Sequence, residues 1–164
     1  MKACECRLAQ IPLKDIMANA KSQVIIRRAT QADVAHIYKI GTAYSDFAVS
    51  KRIRFYEKDE VKEFIRRKSE NIFLVAELDG KIIGFLSCKI MSRHWAMIDN
   101  LFIKPEYRGA GSGKRLLETC LGELKRRRVG YVTRLIKLEK FGKEYPLMGF
   151  KPESKYVWID KFIG

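Results

Sequence analysis

Between residues 103 and 118 the chain reads IKPEYRGAGSGKRLLE, with glycines at the alternate positions 109, 111 and 113. An apolar stretch, WAMIDNLFI, leads into this segment and an amphipathic run follows it. Residues of these types in this order can hold an anion. Glycine reaches positive φ without strain and lets backbone N–H groups approach a ligand with no Cβ between them. The first turn of the following helix adds unpaired N–H groups and the positive end of its dipole. Arg108, Lys114 and Arg115 place cations beside the same point. Ser112 adds a hydroxyl that could cap the helix, touch a phosphate or only loosen the packing.

Two familiar phosphate loops do not fit. A GxxxxGK[ST] loop ending at Gly113-Lys114 needs a glycine at 108, where the chain has Arg108. It also needs a hydroxyl after the lysine to hold Mg²⁺, and that residue is Arg115. A GxGxxG fingerprint begun at Gly109 needs a third glycine where Lys114 stands. Its acidic residue, due about 20 positions on, falls in Arg126–Gly130, which holds none. What remains is Arg108-x-x-Gly111-x-Gly113, preceded by Pro105-Glu106-Tyr107 and followed by a helix.

The elements around the loop follow from periodicity. Val24–Arg27 reads as a short strand, and Thr30 with Asp33 three positions on opens a helix bearing Val34, Ile37, Tyr38 and Ile40. Residues 44–57 have no clear period; a second helix starts near Asp59 with Val61, Phe64 and Ile65 on one face. FLVAEL and KIIGFLSCKI, separated by Asp79-Gly80, form a hairpin signal. Trp95–Ile103 is a third long strand, and the helix after the loop carries Leu116, Leu117, Cys120, Leu121 and Leu124 on one stripe. Tyr131–Leu138 predicts another strand, a short helix leads to Met148 with Gly149 as its stop, and Tyr156–Ile159 is a last strand. The order β-α-α-β-β-β-α-β-α-β describes an α/β domain whose sheet mixes hairpins with crossovers.

The chain has 164 residues, 47% hydrophobic and 32% charged, the balance of one globular domain with a real core. No apolar run approaches the roughly 20 residues that span a bilayer, and residues 1–22 lack the apolar core of a secretory signal. These residues read as an N-terminal extension, and 23–164 as the domain. Cys4, Cys6, Cys88 and Cys120 form no CxxC pair, and His36 and His94 have no ligand-spaced partner. Free thiols in a reducing cytoplasm and no metal are the expectation. The formal charge is +14, from 33 Lys and Arg against 19 Asp and Glu. Such an excess can steer nucleic acid, an acidic protein or a polyphosphate ligand. The basic residues are dispersed, with short clusters at Lys51–Arg54, Arg66–Lys68 and Lys125–Arg128. The last of these closes a helix, where cations complement the dipole in any protein.

The strand–loop–helix unit with its Arg108-x-x-Gly111-x-Gly113 pattern resembles the GCN5-related N-acetyltransferase family, over roughly residues 23–160. KFGKEYPLMGFKP resembles the same family's segment ending in Tyr-x-x-x-Gly-Phe, which puts Tyr145 at its tyrosine position. Two departures accompany this second match: Leu138 stands where an asparagine is frequent, and Pro146 directly follows the tyrosine. Ser112 replaces a usual apolar residue.

The resemblance implies an acyl-CoA N-acyltransferase fold, a mixed sheet of about six to seven strands flanked by about four helices. It implies acetyl-CoA as cosubstrate, with the pyrophosphate on the backbone of Arg108, Gly109, Ala110, Gly111, Ser112, Gly113 and Lys114, and the pantetheine arm along Leu101, Phe102 and Ile103. It makes Tyr145 the acid for the departing sulfur and Asp99, acting through a water, the base for the amine. Strand alternation would put Asp99, Leu101 and Ile103 on one face, with Asn100 and Phe102 opposite. The acceptor would be a small-molecule or protein amine, its pocket built largely by Tyr38–Phe64, in a cytoplasmic monomer or homodimer. The rival is a non-catalytic module on the same fold that retains acyl-CoA or binds RNA, a ribosome or an acidic partner through its charge. Nucleic acid is the less favoured partner.

Overall fold

The computed structural model describes residues 23–47, 55–136, 146 and 149–152. Strand β1 is Ile25–Arg28, helix α1 Val34–Ala43 and helix α2 Lys58–Arg66. Strands β2, Asn71–Leu78, β3, Lys81–Ile90, and β4, Trp95–Ile103, lead to helix α3, Ser112–Arg126, and strand β5, Tyr131–Arg134. The sheet runs in the order β1-β2-β3-β4-β5. Its first four strands are antiparallel, and β5 lies parallel to β4 after the α3 crossover. Five strands and three α-helices among the described residues are fewer than the sequence predicts. The extension 1–22 and the strand Tyr156–Ile159 lie outside the described residues; of the helix up to Met148 only Pro146 is described, and Gly149, its predicted stop, has a φ of 81°. Strand β5 stops at Arg134, short of the predicted Leu138, and residues 135–136 have no regular structure.

Local chemistry explains the joints. Asp79 and Gly80 have φ of 49° and 74°, both positive, as the two central residues of a type I′ hairpin turn require. Asp33 Oδ2 accepts from the Thr30 N–H at 2.7 Å and from its hydroxyl at 2.9 Å, which fixes the entry to α1. Helix α2 begins with the Glu57 N–H donating to Glu60 Oε2 at 2.7 Å. Helix α3 ends with the Val129 N–H on Leu124 O and the Arg128 N–H on Lys125 O, each at 3.0 Å.

The sheet separates two apolar layers. Helices α1 and α2 cover one face, where Ile37, Val61 and Phe64 meet Phe73, Phe85 and Phe102. Helix α3 covers the other, where Leu116, Leu117 and Cys120 meet Leu74, Cys88 and Ile98. On β2, alternation sends Phe73 and Val75 to the first face and Ile72, Leu74 and Ala76 to the second. Strands β3 and β4 approach closely at Gly84, where a Cβ would lie 2.3 Å from Phe102 O. Cys88 and Cys120 are free and fully buried. The hydrogen bond with Cys120, together with burial, pushes the Cys88 thiol up, so it stays protonated.

Candidate active site

Strand β4 delivers the chain to the glycine loop through a single turn at Pro105–Tyr107. Gly109 and Gly111 have φ of 86° and 78°, and a Cβ on either would meet nothing within 4 Å. These two glycines therefore serve the backbone turn and leave open space in front of it. Gly113 is different, since a Cβ there would lie 3.7 Å from Ile103 Cγ1, in ordinary contact with the end of β4. Gly111 caps α3, a helix of 15 residues, whose first N–H groups have no partner within the helix.

The cations divide in two. Arg108 Nε donates to Ile103 O at 2.8 Å, and its guanidinium carbon lies 5.4 Å from the Phe102 ring centroid. Arg108 thus ties the loop to the strand. Lys114 sits 3.7 Å from Glu118 with both side chains more than half exposed, and Arg115 is exposed. Lys114 and Arg115 are the exposed cations in the first turn of α3, where they can meet an anion at the helix N-terminus. Ser112 is 3% exposed, and its hydroxyl neither caps the helix nor has any hydrogen-bond partner among the described residues. An open loop with two left-handed glycines, a helix N-terminus and two exposed cations fits a pyrophosphate.

The strand before the loop carries an irregularity. Ser87 pairs with Asn100 and Cys88 with Ile98, so β4 has one residue more than β3 at this point. The extra residue is Asp99. As a result Ile98, Leu101 and Ile103 all join the α3 layer, while Asp99 turns to the other side and meets Tyr56. The alternation that put Asp99, Leu101 and Ile103 on one face is corrected by this bulge. Pairing with β5 ends at Ile98 with Arg134, so from Asp99 to Ile103 β4 is paired with β3 alone among the described residues.

Asp99 sits in a polar cluster on the α1–α2 face. Its Oδ2 accepts from the Tyr56 hydroxyl at 2.8 Å and lies 2.9 Å from Lys89 Nζ. The Asp99 side chain is 11% exposed. Lys89 also lies over the Tyr56 and Phe64 rings, 5.4 and 5.5 Å from their centroids. Asn100 Nδ2 donates to Ser87 Oγ at 3.0 Å. Burial, and next the charge of Asp99, push the Tyr56 phenol well above its ordinary range, so the hydroxyl keeps its proton and points it at Asp99. Tyr56 and Lys89 are absent from the residues the sequence singles out. Tyr56 lies in the stretch 44–57 that has no period, and Lys89 reads as an ordinary polar position of a strand. The consecutive polar pair Asp99-Asn100 within an apolar strand is the one sequence signal of the bulge. Tyr145 lies outside the described residues.

A model of the acetyltransferase (GNAT) family matches residues 34–145. An uncharacterized N-acetyltransferase of Methanocaldococcus jannaschii is 29% identical over 100 residues, 56% of this chain and 44% of that protein. An uncharacterized N-acetyltransferase of Archaeoglobus fulgidus is 30% identical over 106 residues, 58% of this chain and 70% of the relative. The match thus spans less than half the length of the first of these relatives. Among solved structures, the PaiA N-acetyltransferase of Thermoplasma acidophilum, in complex with coenzyme A, shares the fold with a TM-score of 0.55 at 22% identity. That superposition covers 65% of this chain and 75% of the other. Among the described residues no group of three or more His, Cys, Asp or Glu side chains could hold a metal ion, and no helix is long and apolar enough to cross a membrane. The family match takes in α1, the bulged strand, the glycine loop and α3 together: this chain belongs to the acetyltransferase (GNAT) family.

Proposed function

We propose that this chain is an N-acetyltransferase that moves the acetyl group of acetyl-CoA to a primary amine by direct attack on the thioester carbonyl. The observation that carries this reading is the continuous unit from Asp99 to Lys114. Within it a bulged strand, outside the β5 ladder among the described residues, runs into an open glycine loop at a helix N-terminus. The coenzyme A complex of the structural neighbour and the names of the archaeal relatives support the reading.

Each part then has a task. The backbone of 108–114 holds the pyrophosphate, with Lys114 and Arg115 adding charge. The backbone of Leu101–Ile103 receives the pantetheine arm and offers an N–H to the carbonyl oxygen as negative charge develops there. The amine nitrogen forms the new C–N bond, the C–S bond breaks, and the amine's proton leaves toward Asp99. Tyr56 is well placed for that last step. Its proton is committed to Asp99 and its oxygen accepts from Lys89 Nζ at 3.5 Å, so a remaining lone pair can accept from an approaching ammonium, and the Tyr56–Asp99 pair can relay the proton. Tyr145 donates a proton to the departing sulfur. Residues 23–164 act as one cytoplasmic domain, as monomer or homodimer, with 1–22 as an extension.

The test has two stages. Acetyl-CoA should raise the melting temperature, and CoA release over a panel of amines should reveal the acceptor class. No stabilisation by acetyl-CoA sinks the proposal, and stabilisation without turnover on any amine turns it into a binding module. Tyr145→Phe should slow turnover without abolishing it, because a thiolate of pKa near ~8.5 leaves fairly well unaided. Full activity in that variant removes Tyr145 from the mechanism.

A further inference from the structure

We propose that the end of the sheet opposite the glycine loop binds single-stranded nucleic acid. Three segments distant in sequence meet there: residues 66–70 between α2 and β2, 91–94 between β3 and β4, and 125–130 at the end of α3. Together they carry eight lysines and arginines against one glutamate. That net +7 is half of the chain's formal +14, gathered into 15 residues. The sequence shows these clusters as dispersed; the fold brings them to one surface.

The convergence is built from hydrogen bonds. Arg127 Nη1 donates to Ser69 O and Nη2 to Lys68 O, each at 2.9 Å, which fastens the end of α3 to the α2–β2 segment. The Ile90 N–H donates to Glu70 O at 2.8 Å, and the Tyr131 N–H to His94 O at 3.0 Å. Ser69, Glu70, Ser92, Arg93 and Arg127 line one shallow depression between the three segments.

Local carboxylates neutralise only part of this charge. Glu63 pairs with Arg66 and Arg67, Glu70 with Arg67, and Glu123 with Arg127. Lys68, Arg93, Lys125, Arg126 and Arg128 are exposed and enter none of the ion pairs among the described residues. Arg128 adds a separate indication. It occupies the left-handed position that ends α3, with φ of 61°, where glycine would sit without strain. The helix ends on an arginine nonetheless.

Two aromatic rings adjoin the charge and select the partner. Trp95 and Tyr131 are register partners on neighbouring strands, so they share one face of the sheet, and they are 38% and 54% exposed. Trp95 Nε1 donates to Thr133 Oγ1 at 2.9 Å, which holds its ring in place. An acidic protein or an anionic membrane would be met by charge alone. Six of the eight cations are arginines, whose planar forks suit phosphate oxygens, and exposed rings beside them offer stacking surfaces for unpaired bases. Strand β4 spans its nine residues between this end and the glycine loop, about 30 Å, so acetyl-CoA and an oligonucleotide can bind together.

Fluorescence anisotropy with labelled oligouridine and oligothymidine tests the proposal. With five unpaired cations engaged, binding to the wild type should weaken about 100-fold from 50 to 200 mM salt. The variant R93Q/K125Q/R126Q should bind at least about tenfold more weakly at 50 mM and lose less than about tenfold over the same salt range. Tyr131→Ala should weaken binding while leaving the salt slope unchanged. The three substituted side chains of the charge variant are exposed and enter no ion pair among the described residues, so its stabilisation by acetyl-CoA should match the wild type and report that it is folded. Absence of oligonucleotide binding at 50 mM overturns the proposal. So does unchanged affinity in the charge variant, or wild-type binding to phosphatidylserine vesicles or polyglutamate that equals binding to oligonucleotide.

Discussion

Strand β4 shows different chemistry to the layers on its two sides. Toward α3 it offers Ala96, Ile98 and Ile103, which pack with Leu116, Leu117 and Cys120 in a dry layer. Toward α1 and α2 it offers Phe102 within an aromatic layer, and beside it the polar cluster of Asp99, Tyr56 and Lys89. The bulge at Asp99 makes this division possible. It restores the apolar alternation after one extra residue and leaves a carboxylate on the α1–α2 side, where the proposed reaction would bring its acceptor amine. The α3 layer therefore sets where the glycine loop sits, and the opposite face holds the groups able to move a proton. Under the proposed function the difference separates stability from chemistry on a single strand, and it can be tested one face at a time.

The largest effect on stability should come from the α3 layer. Leu116 is fully buried there, and Leu116→Ala should cost about 3 kcal/mol, since the lost contacts and the residual cavity add. Urea unfolding measures this. At a temperature where the variant remains folded, its turnover should change far less than its stability. A collapse of turnover without a matching loss of stability would erase the division between the two faces.

On the opposite face, acid should act first. Hydrogen bonds from Arg27, at 2.7 and 2.9 Å, are the largest of the effects that lower the Asp33 carboxyl to about 2 from its ordinary 3.8. A carboxyl held low in the folded state contributes stability that is complete above about pH 4 and is lost as pH falls through about 2. The contribution at neutral pH is about 2 kcal/mol. Asp33 also fixes the entry to α1, so amide exchange in α1 should accelerate between pH 4 and 2 relative to that in α3. Equal acceleration in both helices would mean that acid unfolds the molecule as one unit, without regard to face.

The polar cluster should respond more weakly in stability and more strongly in rate. Asp99→Ala leaves the Tyr56 hydroxyl without its acceptor and Lys89 without its counter-charge. Lys89 is 39% exposed, so solvent screens part of the loss, and the expected cost is about 1.5 kcal/mol. Asp99→Asn keeps an acceptor for Tyr56 and should cost less. Both variants should lower turnover over the whole pH range, because neither can take a proton. Wild-type rates in both would assign the cluster to structure alone.

Much of this was legible in the residues and some was not. The Asp79-Gly80 hairpin, the α3 stripe and the glycine loop are each set by local rules of turn, period and cap, so the sequence predicts them directly. The bulge is a pairing between two strands, and only β3 placed beside β4 shows that one residue is surplus. Arg108 reads as a free cation because its partners, Ile103 O and the Phe102 ring, come within reach only when the loop folds back on the strand. Tyr56 stands in a segment without periodicity, and its meaning comes from Asp99, 43 positions away. The basic end is likewise a product of three turns folding to one place.

The smallest expected effect concerns the polar residue that opens α3. The Ser112 hydroxyl is buried and has no hydrogen-bond partner among the described residues, so its desolvation has no compensation. Ser112→Ala removes that hydroxyl and substitutes the better helix former, which should raise stability by about 1 kcal/mol. Gly109 and Gly111 beside it are exposed, whereas Ser112 is covered, so a phosphate held in front of the loop should not reach its oxygen. Acetyl-CoA affinity should therefore be unchanged in Ser112→Ala, by titration calorimetry at equal temperature. A loss of tenfold or more, alongside the gain in stability, would show instead that Ser112 turns outward to the ligand. The α3 layer would then hold a binding group of its own, and its division from the opposite face would fail at the first residue of the helix.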